Sequence, residues 1–418
     1  MKEKRNTIDR RNFLKTVGAA GLGTALASAG AVAGANESKA AGETPKPASP
    51  QVPRRKLGKT GVEVSCLGLG TMFNLVDNQI ILRSTLKYGV TYWDTSNVYA
   101  GGNSELGIGK FFSKNPKARK SVFLVSKASR ASTVAQFEER LQLSLKRMNT
   151  DYIDLYYAPH GADDPAQLND ELRRWAASAK KRKLIKYFGF STHSNMAQCL
   201  AAAAKLDWID AVMPRFNFRV MQDPEMQAAV DACHKANIGI AAMKTTGKTT
   251  IARFRKQIET EAEKKMVAHF LERGFTPEQA AIKLVLDDKR ISTAPVQMES
   301  VSIVTQNVAA VMDKTELTQQ DKDVLREYAR ATCSGYCAGC AYICDSALPD
   351  AGYVSDIMRY LMYYNSYGHV DRARGLFAEI PAKVRTGLLR TDYSVAEARC
   401  PQHLPIGELV AEAVSKLA

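Results

Sequence analysis

The chain of 418 residues is long enough to bury the core of one large domain and to carry a smaller appended unit. Its formal net charge is +15, and the first 15 residues supply +4 of it, from six Lys or Arg residues against Glu3 and Asp9. The remaining surplus of +11 contains no basic block with interleaved aromatic residues. The charge therefore argues against a nucleic-acid-binding protein and favours a solvated surface, helped by an anionic ligand.

An arginine pair near the N-terminus precedes a weakly apolar segment. Arg10 and Arg11 are followed by residues 16–35, which are rich in Gly and Ala. This segment is too short and too rich in glycine for a stable membrane span, and its small residues 33–35 suit a cleavage site. It resembles a twin-arginine export signal, which implies the twin-arginine export machinery as a partner and a periplasmic or otherwise exported protein. Residues 36–53 contain four prolines among polar residues and predict a disordered linker.

Apolar strands alternate with amphipathic helices after this linker. Residues 54–65, with Gly58 and Gly61 between short apolar runs, predict a hairpin across the bottom of a barrel. Eight strands follow, each with a helical stretch behind it, and no early G-x-G-x-x-G indicates a doubly wound sheet. The pattern predicts an α/β protein with a (β/α)8 TIM barrel over residues 54–315. The helix predicted over residues 134–148 has the three- and four-residue apolar spacing of one buried face. The predicted strands cover residues 64–70, 91–95, 122–127, 153–158, 186–191, 211–216, 238–244 and 291–295.

Three successive strands deliver polar residues that could act together. Asp94 ends the second strand and Tyr99 follows it, while Lys127 ends the third and His160 follows the fourth. The carboxyl ends of barrel strands meet at one face, which is where the active sites of such barrels lie. There, an ammonium group held charged by Asp94 would stabilise a tyrosinate, which would make Tyr99 a usable acid near neutral pH.

This ordered quartet, with the Ser-Lys and Pro-His pairs that contain Lys127 and His160, resembles the aldo/keto reductases, and the likeness runs over residues 54–310. The resemblance implies hydride transfer between a nicotinamide cofactor and a small carbonyl or alcohol substrate, with Tyr99 as the general acid and base. It also implies that Lys127 and Asp94 tune Tyr99, and that His160 orients the carbonyl oxygen.

The same resemblance puts the cofactor over the strand ends, where the chain departs from the family pattern at several positions. Met213 stands where a Gln commonly holds the carboxamide, and Gln297 and Ile303 stand where Lys and Arg often grip a 2′-phosphate. The choice between NAD and NADP is therefore open, although Lys244 could contact phosphate from another side. The cofactor-binding residues that the resemblance implies are Gly70, Thr71, Met72, Ser191, Thr192, Lys244, Gln306 and Asn307.

Residues 316–418 are predicted to form a small, mostly helical, cysteine-rich tail. Cys333, Cys337, Cys340 and Cys344 follow a C-x3-C-x2-C-x3-C pattern, and four thiolates so closely spaced can wrap one soft metal centre. The tail, with its later Cys400-Pro401 pair, resembles the ferredoxin-like extension of a branch of aldo/keto reductases, which implies a [4Fe-4S] cluster. A structural zinc ion and two disulfides are alternative uses of the same cysteines.

Two functional hypotheses follow from these patterns. The first is an exported aldo/keto reductase-type enzyme with an iron–sulfur centre in its tail and a redox partner protein. The second is an electron-transfer or binding protein whose barrel keeps the quartet but no longer uses a free nicotinamide, and the departures from the family pattern favour it. Because no diffusible nicotinamide pool is expected outside the cytoplasm, the first hypothesis requires a tightly bound cofactor exported with the folded protein, or another electron source.

Overall fold

A computed structural model describes residues 49–247, 261–348 and 352–418 of the chain. The predicted export signal, residues 1–35, and residues 36–48 of the predicted linker lie outside the described residues. In the ranges that the structure covers, no helix combines the length and the apolar character needed to cross a membrane.

The described residues form a short hairpin followed by a parallel sheet. The hairpin consists of β1 (Arg54–Lys56) and β2 (Glu63–Ser65), which pair in antiparallel fashion. The strands of the parallel sheet are β3 (Leu67–Gly70), β4 (Tyr92–Asp94), β5 (Phe123–Lys127), β6 (Ile153–His160), β7 (Ile185–Thr192), β8 (Ala211–Pro214), β9 (Gly239–Ile240) and β10 (Ala294–Gln297). From β3 to β9 each strand pairs with the next, and β10 pairs with β3. A parallel bridge between Ala241 and Thr293 connects the two ends, so the curled sheet has the form of a (β/α)8 barrel.

The strands expected from the apolar runs are present, with the largest differences at three of them. The eighth, predicted over residues 291–295, is β10 (Ala294–Gln297). The first, residues 64–70, is divided at Cys66, because its beginning pairs within the hairpin and its end pairs within the barrel. The seventh, residues 238–244, keeps a continuous ladder only over the two residues of β9. Beyond it, Ala241 and Met243 make single bridges to different neighbours, so no regular pairing continues.

The barrel helices bury one face against the sheet. The helix Val134–Met148 begins with a capping box, in which the side chains of Thr133 and Gln136 each bond the other's backbone, and it ends at Asn149 in a left-handed conformation. Its buried face confirms the apolar stripe predicted for residues 134–148. The other helices of this region are Gln79–Lys87, Asn103–Lys114, Ala118–Ser121, Asp170–Lys181, Met196–Ala203, Pro224–Lys235, Glu261–Glu272, Pro277–Asp287 and Val301–Met312.

The tail has a hydrophobic core of its own, which runs from Leu348 to Leu417 in the described residues. The helix Gln319–Ala331 does not belong to this core, because its Leu325 packs with Phe270 and other residues of the barrel region. This helix, which the boundary predicted at residue 315 would assign to the tail, therefore packs with the barrel region. The tail helices beyond it are Ala341–Asp345, Val354–Asn365, Val370–Ala378, Ala382–Gly387, Ser394–Arg399 and Ile406–Leu417.

The tail is docked on the carboxyl ends of the barrel strands. Arg215, which follows β8, donates hydrogen bonds to the carbonyl oxygens of Cys337 at 2.7 Å and His193 at 2.8 Å. The backbone N–H of Asn195, in the loop after β7, donates to the carbonyl oxygen of Gly339 at 2.7 Å. These bonds hold the tail over the face at which the predicted site residues meet.

Candidate active site

A cavity of about 510 Å³ lies at the carboxyl ends of the barrel strands. Because parallel strands end at the same face of a barrel, residues far apart in the sequence converge there. Eight of the twelve predicted barrel-site residues line the cavity, namely Gly70, Thr71, Met72, Asp94, Tyr99, Lys244, Gln306 and Asn307. The four that are not part of the lining are Lys127, His160, Ser191 and Thr192.

Lys127 connects Asp94 and Tyr99. Its Nζ donates to both carboxylate oxygens of Asp94 at 2.6 Å, to the carbonyl oxygen of Thr95 at 2.9 Å and to the Tyr99 hydroxyl at 3.4 Å. The register explains this arrangement, because Asp94 of β4 lies opposite Val125 of β5 and Lys127 ends β5 two residues later. Lys127 is only 1% exposed, so its charge is compensated by the carboxylate rather than by water. The structure brings the three predicted residues together as one hydrogen-bonded group.

Burial and charge act in opposite directions on this group. Burial disfavours the ammonium, but Asp94 and Tyr99 outweigh burial and raise the pKa of Lys127. Burial also raises the pKa of Tyr99, and the nearby cations Lys127 and Arg372 only partly offset it. A phenol with a raised pKa keeps its proton through the neutral range, because desolvation exceeds the stabilisation of the anion. The role of Tyr99 as a usable acid near neutral pH stays a prediction.

His160, at the end of β6, is held by a chain of hydroxyl groups. Its Nδ1 is hydrogen-bonded to Ser129 Oγ, which lies 2.6 Å from Ser96 Oγ. Burial, together with the charges of Lys127 and Arg372, lowers the pKa of His160 well below its usual range, so the ring is neutral. In the neutral tautomer that accepts a hydrogen bond from Ser129 at Nδ1, the ring proton lies on Nε2 and can be donated to a substrate oxygen.

The predicted cofactor residues include a buried hydroxyl with hydrogen-bonding capacity to spare. Ser191 Oγ is buried and has no hydrogen-bond partner among the described residues, and Ser191 lies opposite His160 in the strand register. The Thr192 hydroxyl, by contrast, donates to the carbonyl oxygen of Ser194 at 2.9 Å. Buried polar atoms normally have a partner, so the free Ser191 hydroxyl fits a polar group such as the nicotinamide carboxamide.

The departures from the family pattern lie in the same cavity. Met213, Gln297 and Ile303 all line it, and the Gln297 amide is hydrogen-bonded to Glu299. Among the cavity-lining residues of the described chain, Lys244 is the one Lys or Arg. The end of the cavity near Gln297 therefore lacks the cation that often grips a 2′-phosphate.

The tail adds side chains to the site that the sequence patterns did not indicate. Tyr363 and Tyr367 line the cavity. The Nζ of Lys244 lies 4.5 Å from the centre of the Tyr363 ring and donates to the Tyr363 hydroxyl at 3.5 Å. The Arg372 guanidinium lies 5.2 Å from the centre of the Tyr99 ring and 5.3 Å from that of Tyr363. The tail therefore reaches the proposed catalytic phenol directly.

A sequence signal for these residues exists. Arg359, Tyr363 and Tyr367 are spaced by four residues, which puts polar and aromatic groups on one face of the helix Val354–Asn365 and just past its end. Such a face within an otherwise buried helix is typical of a residue set that lines a site. The sequence alone did not indicate that this face meets the barrel.

Cations dominate the surroundings of Tyr363. Burial opposes ionisation of its phenol, but Lys244, Arg359 and Arg372 outweigh burial and lower the pKa of Tyr363 to about 7. Burial lowers the pKa of Lys244 to about 8. Burial, with Arg359 and Lys244, also lowers the pKa of His193, so the positive charge around the cavity comes from Lys and Arg side chains.

One small pocket in the tail is lined by four cysteines, Cys337, Cys340, Cys344 and Cys400. Cys333, which the sequence pattern grouped with the first three, lies in the turn Cys333–Gly335 and does not line this pocket. Cys400 replaces it because the fold packs the helix Ser394–Arg399, directly before Cys400, against the helix Ala341–Asp345. Spacing along the chain could not reveal this long-range contact.

The eight cysteines of the chain are free thiols in the structure. Burial raises the pKa of Cys340 to about 12, and it also raises the pKa of Cys337 and of Cys344. Within residues 49–247, 261–348 and 352–418, no three His, Cys, Asp or Glu side chains are arranged as a ready metal site. The tail pocket therefore has the donor types that a soft metal centre needs, as protonated thiols that metal binding would have to deprotonate.

Comparison with known proteins gives the family. The sequence profile of the aldo/keto reductase family matches residues 66–329, which is more than half of the chain. A curated relative, the "Aldo-keto reductase yakc [NADP(+)]" of Schizosaccharomyces pombe, is 29% identical over 217 residues. That alignment covers 47% of this chain and 62% of the relative, so the chain spans less than two thirds of the relative's length.

Two solved aldo-keto reductases share the fold. The holo form of AKR11C1 from Bacillus halodurans has a TM-score of 0.53 at 21% identity, covering 66% of this chain and 96% of that one. The thermostable Tm1743, solved with the inhibitor epalrestat, has a TM-score of 0.54 at 24% identity, covering 66% of this chain and all of that one. These two structures show the shared fold, and the profile match over more than half of the chain shows that the chain belongs to the aldo/keto reductase family of oxidoreductases.

Proposed function

We propose that this protein interconverts a carbonyl and an alcohol by hydride transfer with a nicotinamide cofactor, with Tyr99 as the general acid and base. The observation that carries the proposal is the buried group in which Lys127 Nζ bonds both Asp94 and Tyr99 at the cavity. Family membership supports it, as does a relative whose name specifies NADP(+).

Each residue of the group has a role in the reduction direction. The Tyr99 hydroxyl transfers its proton to the carbonyl oxygen as the new C–H bond forms at the carbonyl carbon. Lys127 stabilises the resulting tyrosinate, and Asp94 keeps the Lys127 ammonium charged. The neutral His160 donates a hydrogen bond from Nε2 to the same oxygen and orients it. A reduced nicotinamide, when bound, supplies the hydride.

The cofactor residues proposed from the family resemblance are supported by the cavity that most of them line. Ser191 offers its unpartnered hydroxyl to the carboxamide, and Lys244 offers a cation to phosphate. Gln297 and Ile303 provide no charge for a 2′-phosphate, so both NADH and NADPH are candidates.

Binding and turnover test this proposal together. Quenching of protein fluorescence by NADH and NADPH measures binding, and absorbance at 340 nm measures oxidation of the cofactor by a panel of aldehydes and ketones. We expect Ser191→Ala to weaken cofactor binding several-fold, about what one lost hydrogen bond to a neutral group contributes. Ser178→Ala, at an exposed helix position, is the control and should leave binding unchanged. If neither cofactor binds nor is consumed, the chain is instead an electron-transfer or binding protein on a reductase barrel.

We also propose that the tail holds a [4Fe-4S] cluster through Cys337, Cys340, Cys344 and Cys400. The shared pocket of these four residues supports this ligand set over one that includes Cys333. When bound, such a cluster carries single electrons, which suits exchange with a redox partner protein.

Iron analysis of protein purified without oxygen tests the cluster. Cys400→Ser should lose iron and visible absorbance as fully as Cys340→Ser, and Cys333→Ser should keep both. Iron loss in Cys333→Ser with retention in Cys400→Ser would restore the ligand set predicted from spacing. Zinc, or paired disulfides, in the wild-type protein would overturn the cluster.

We propose further that the chain is exported through the twin-arginine pathway, which passes folded proteins. The sequence of residues 1–35 motivates this, and a cluster inserted in the cytoplasm would require it, because an oxidising compartment would pair the thiols as disulfides. Replacement of Arg10 and Arg11 by Lys should retain the precursor in the cytoplasm. The mature chain, redirected through an unfolded-export signal, should arrive without iron, and arrival with full iron content would contradict the argument.

A further inference from the structure

Arg372 of the tail is a cation without a carboxylate partner beside the proposed proton donor. Its guanidinium lies between the rings of Tyr99 and Tyr363, at 5.2 and 5.3 Å from their centres. Its Nε is buried and lacks a hydrogen-bond partner, and no carboxylate of the described residues lies within the 4.0 Å of an ion pair. The Arg372 side chain as a whole is half-buried, and a partly desolvated charge without a carboxylate partner favours binding of an anion.

Two neighbouring arginines, unlike Arg372, form ion pairs with carboxylates. Arg359 forms an ion pair with Asp356 on its own helix, and Arg130 forms one with Glu379 at 2.7 Å. Both therefore have structural partners within the tail or between tail and barrel. Arg372 has none in the described chain, and it lines the cavity next to that of Tyr99, with Met72, Glu299 and Tyr367 common to both cavities.

Lys244 adds a second uncompensated cation on the other side of Tyr363. Its Nζ donates to the Tyr363 hydroxyl, and no described carboxylate lies within ion-pair distance of it. Glu278 and Glu299 line the same cavity but form no ion pair with either cation. No described carboxylate pairs with these two cations, so the region around Tyr99 has a surplus of positive charge that Tyr363, whose pKa is lowered, offsets only when its phenol ionises.

We propose that the substrate is an oxo acid, or the corresponding hydroxy acid, whose carboxylate is bound by Arg372 while its carbonyl oxygen meets Tyr99. The inference rests on the proposed function and names the substrate class of that site. A guanidinium binds a carboxylate through two parallel charge-assisted hydrogen bonds. Because Arg372 lies over the Tyr99 ring, the carboxylate and the reacting carbonyl are separated by only a few bonds. Reduction adds one hydride and the Tyr99 proton to the carbonyl, oxidises the nicotinamide, and leaves the carboxylate unchanged.

The phosphates of the cofactor offer Arg372 the same anionic chemistry. The position of Arg372 favours the substrate, because it contacts the ring that supplies the proton, whereas Lys244 follows β9 on the barrel itself. The two sources predict different results. An Arg372 that bound phosphate would change cofactor affinity equally for every substrate, and an Arg372 that bound the substrate would not.

Matched pairs of substrates test the proposal. Short 2-oxo and semialdehyde acids and their methyl esters are compared in kcat and KM, with the cofactor KM measured alongside. The wild-type protein should prefer each acid. Arg372→Gln should raise the KM for the acid relative to its ester by about 10- to 100-fold, the usual range for hydrogen bonds to a charged group. For Arg372→Lys, the KM for the acid relative to its ester should lie between the values for the wild-type protein and Arg372→Gln. Arg374→Gln, an exposed arginine of the same helix, is the matched control and should leave the acid-to-ester ratio unchanged.

Calorimetric binding of malonate, which cannot be reduced, gives a readout that does not need turnover. We expect the full-length protein to bind malonate and Arg372→Gln to lose that binding, while its melting temperature shows that the variant is folded. The proposal is wrong if esters are used as well as acids and malonate does not bind, or if Arg372→Gln leaves both the ratio and malonate binding intact. Malonate binding without nicotinamide oxidation would keep the anion site and overturn the proposed reaction instead.

Discussion

Lys127 makes the contacts on which the proposed chemistry most depends, since its buried ammonium bonds both the carboxylate and the phenol. Lys127→Met should lower turnover by about 100-fold, within the range of general acid–base effects. In the oxidation direction the rate rises as Tyr99 ionises. Loss of a cation that lowers the pKa of Tyr99 should move this rise to higher pH. A pH profile of kcat/KM checks the shift.

Stability provides the control for that variant. Removal of Lys127 leaves Asp94 as an unpaired buried carboxylate, which typically costs about 3–5 kcal/mol. The double variant Asp94→Asn, Lys127→Met should recover part of this loss. Lys146→Met, at an exposed helix position, should change neither the melting temperature nor the profile. An unchanged profile in Lys127→Met would remove the basis for a Lys–Tyr pair.

Tyr363 should titrate far below an ordinary tyrosine. Its pKa is lowered to about 7 in the folded protein, so absorbance at 295 nm should show one phenolate forming near neutral pH. Since the folded pKa is below the unfolded value, this group adds stability that is present above pH 10 and is lost as the pH falls towards 7. Tyr363→Phe should abolish the step, and Arg372→Gln should move it upward. A first phenolate appearing only near pH 10 would contradict the cationic surroundings described for Tyr363.

The sequence indicated some site residues and not others for physical reasons. Asp94, Lys127 and His160 lie at or beside strand ends, and in a barrel those positions converge whatever the details of packing. Ser129 was missed because a serine after a strand is usually only a solvated or capping residue. Arg372 was missed because its role depends on where the tail docks.

At the scale of elements, the local sequence pattern predicted an element correctly where only one hydrophobic core was available for it to pack against. The barrel strands are apolar runs that are buried on both faces, and the helix Val134–Met148 has a clear stripe and caps. The helix Gln319–Ala331 is also amphipathic, but its pattern does not specify which of two cores it joins. That choice depends on side chains such as Phe270, far away in the sequence.

The contact between the tail loop at Gly339 and the barrel can be tested by changing this one glycine. Gly339 has a φ of +82°, and a Cβ there would collide with the His193 carbonyl group and the Arg215 guanidinium. Gly339→Ala should therefore detach the loop, lower the melting temperature and expose the tail to proteolysis. Gly387→Ala, with open space around its Cβ position, is the matched control. Equal proteolysis rates for the two variants would show that this contact does not hold the tail.

At the scale of the whole molecule, two cores share one site. The barrel provides the Asp94–Lys127–Tyr99 group, and the tail, with its own core, brings Tyr363 and Arg372 to it. The sequence predicted these units as a barrel and a cysteine-rich tail. For the tail it indicated only the cysteines, because the sequence of a helix does not indicate which surface of the protein its exposed face will pack against.

The most direct measurement of the central claim compares Tyr99→Phe with Tyr363→Phe in single-turnover hydride transfer under the same conditions. Both changes remove one hydroxyl from a phenol beside the same cavity. If Tyr99 is the proton donor, Tyr99→Phe should slow the chemical step by roughly 10²- to 10⁴-fold with cofactor binding intact, and Tyr363→Phe should slow it much less. Undiminished hydride transfer in Tyr99→Phe would contradict the account, and its loss in Tyr363→Phe alone would assign the proton to the tail.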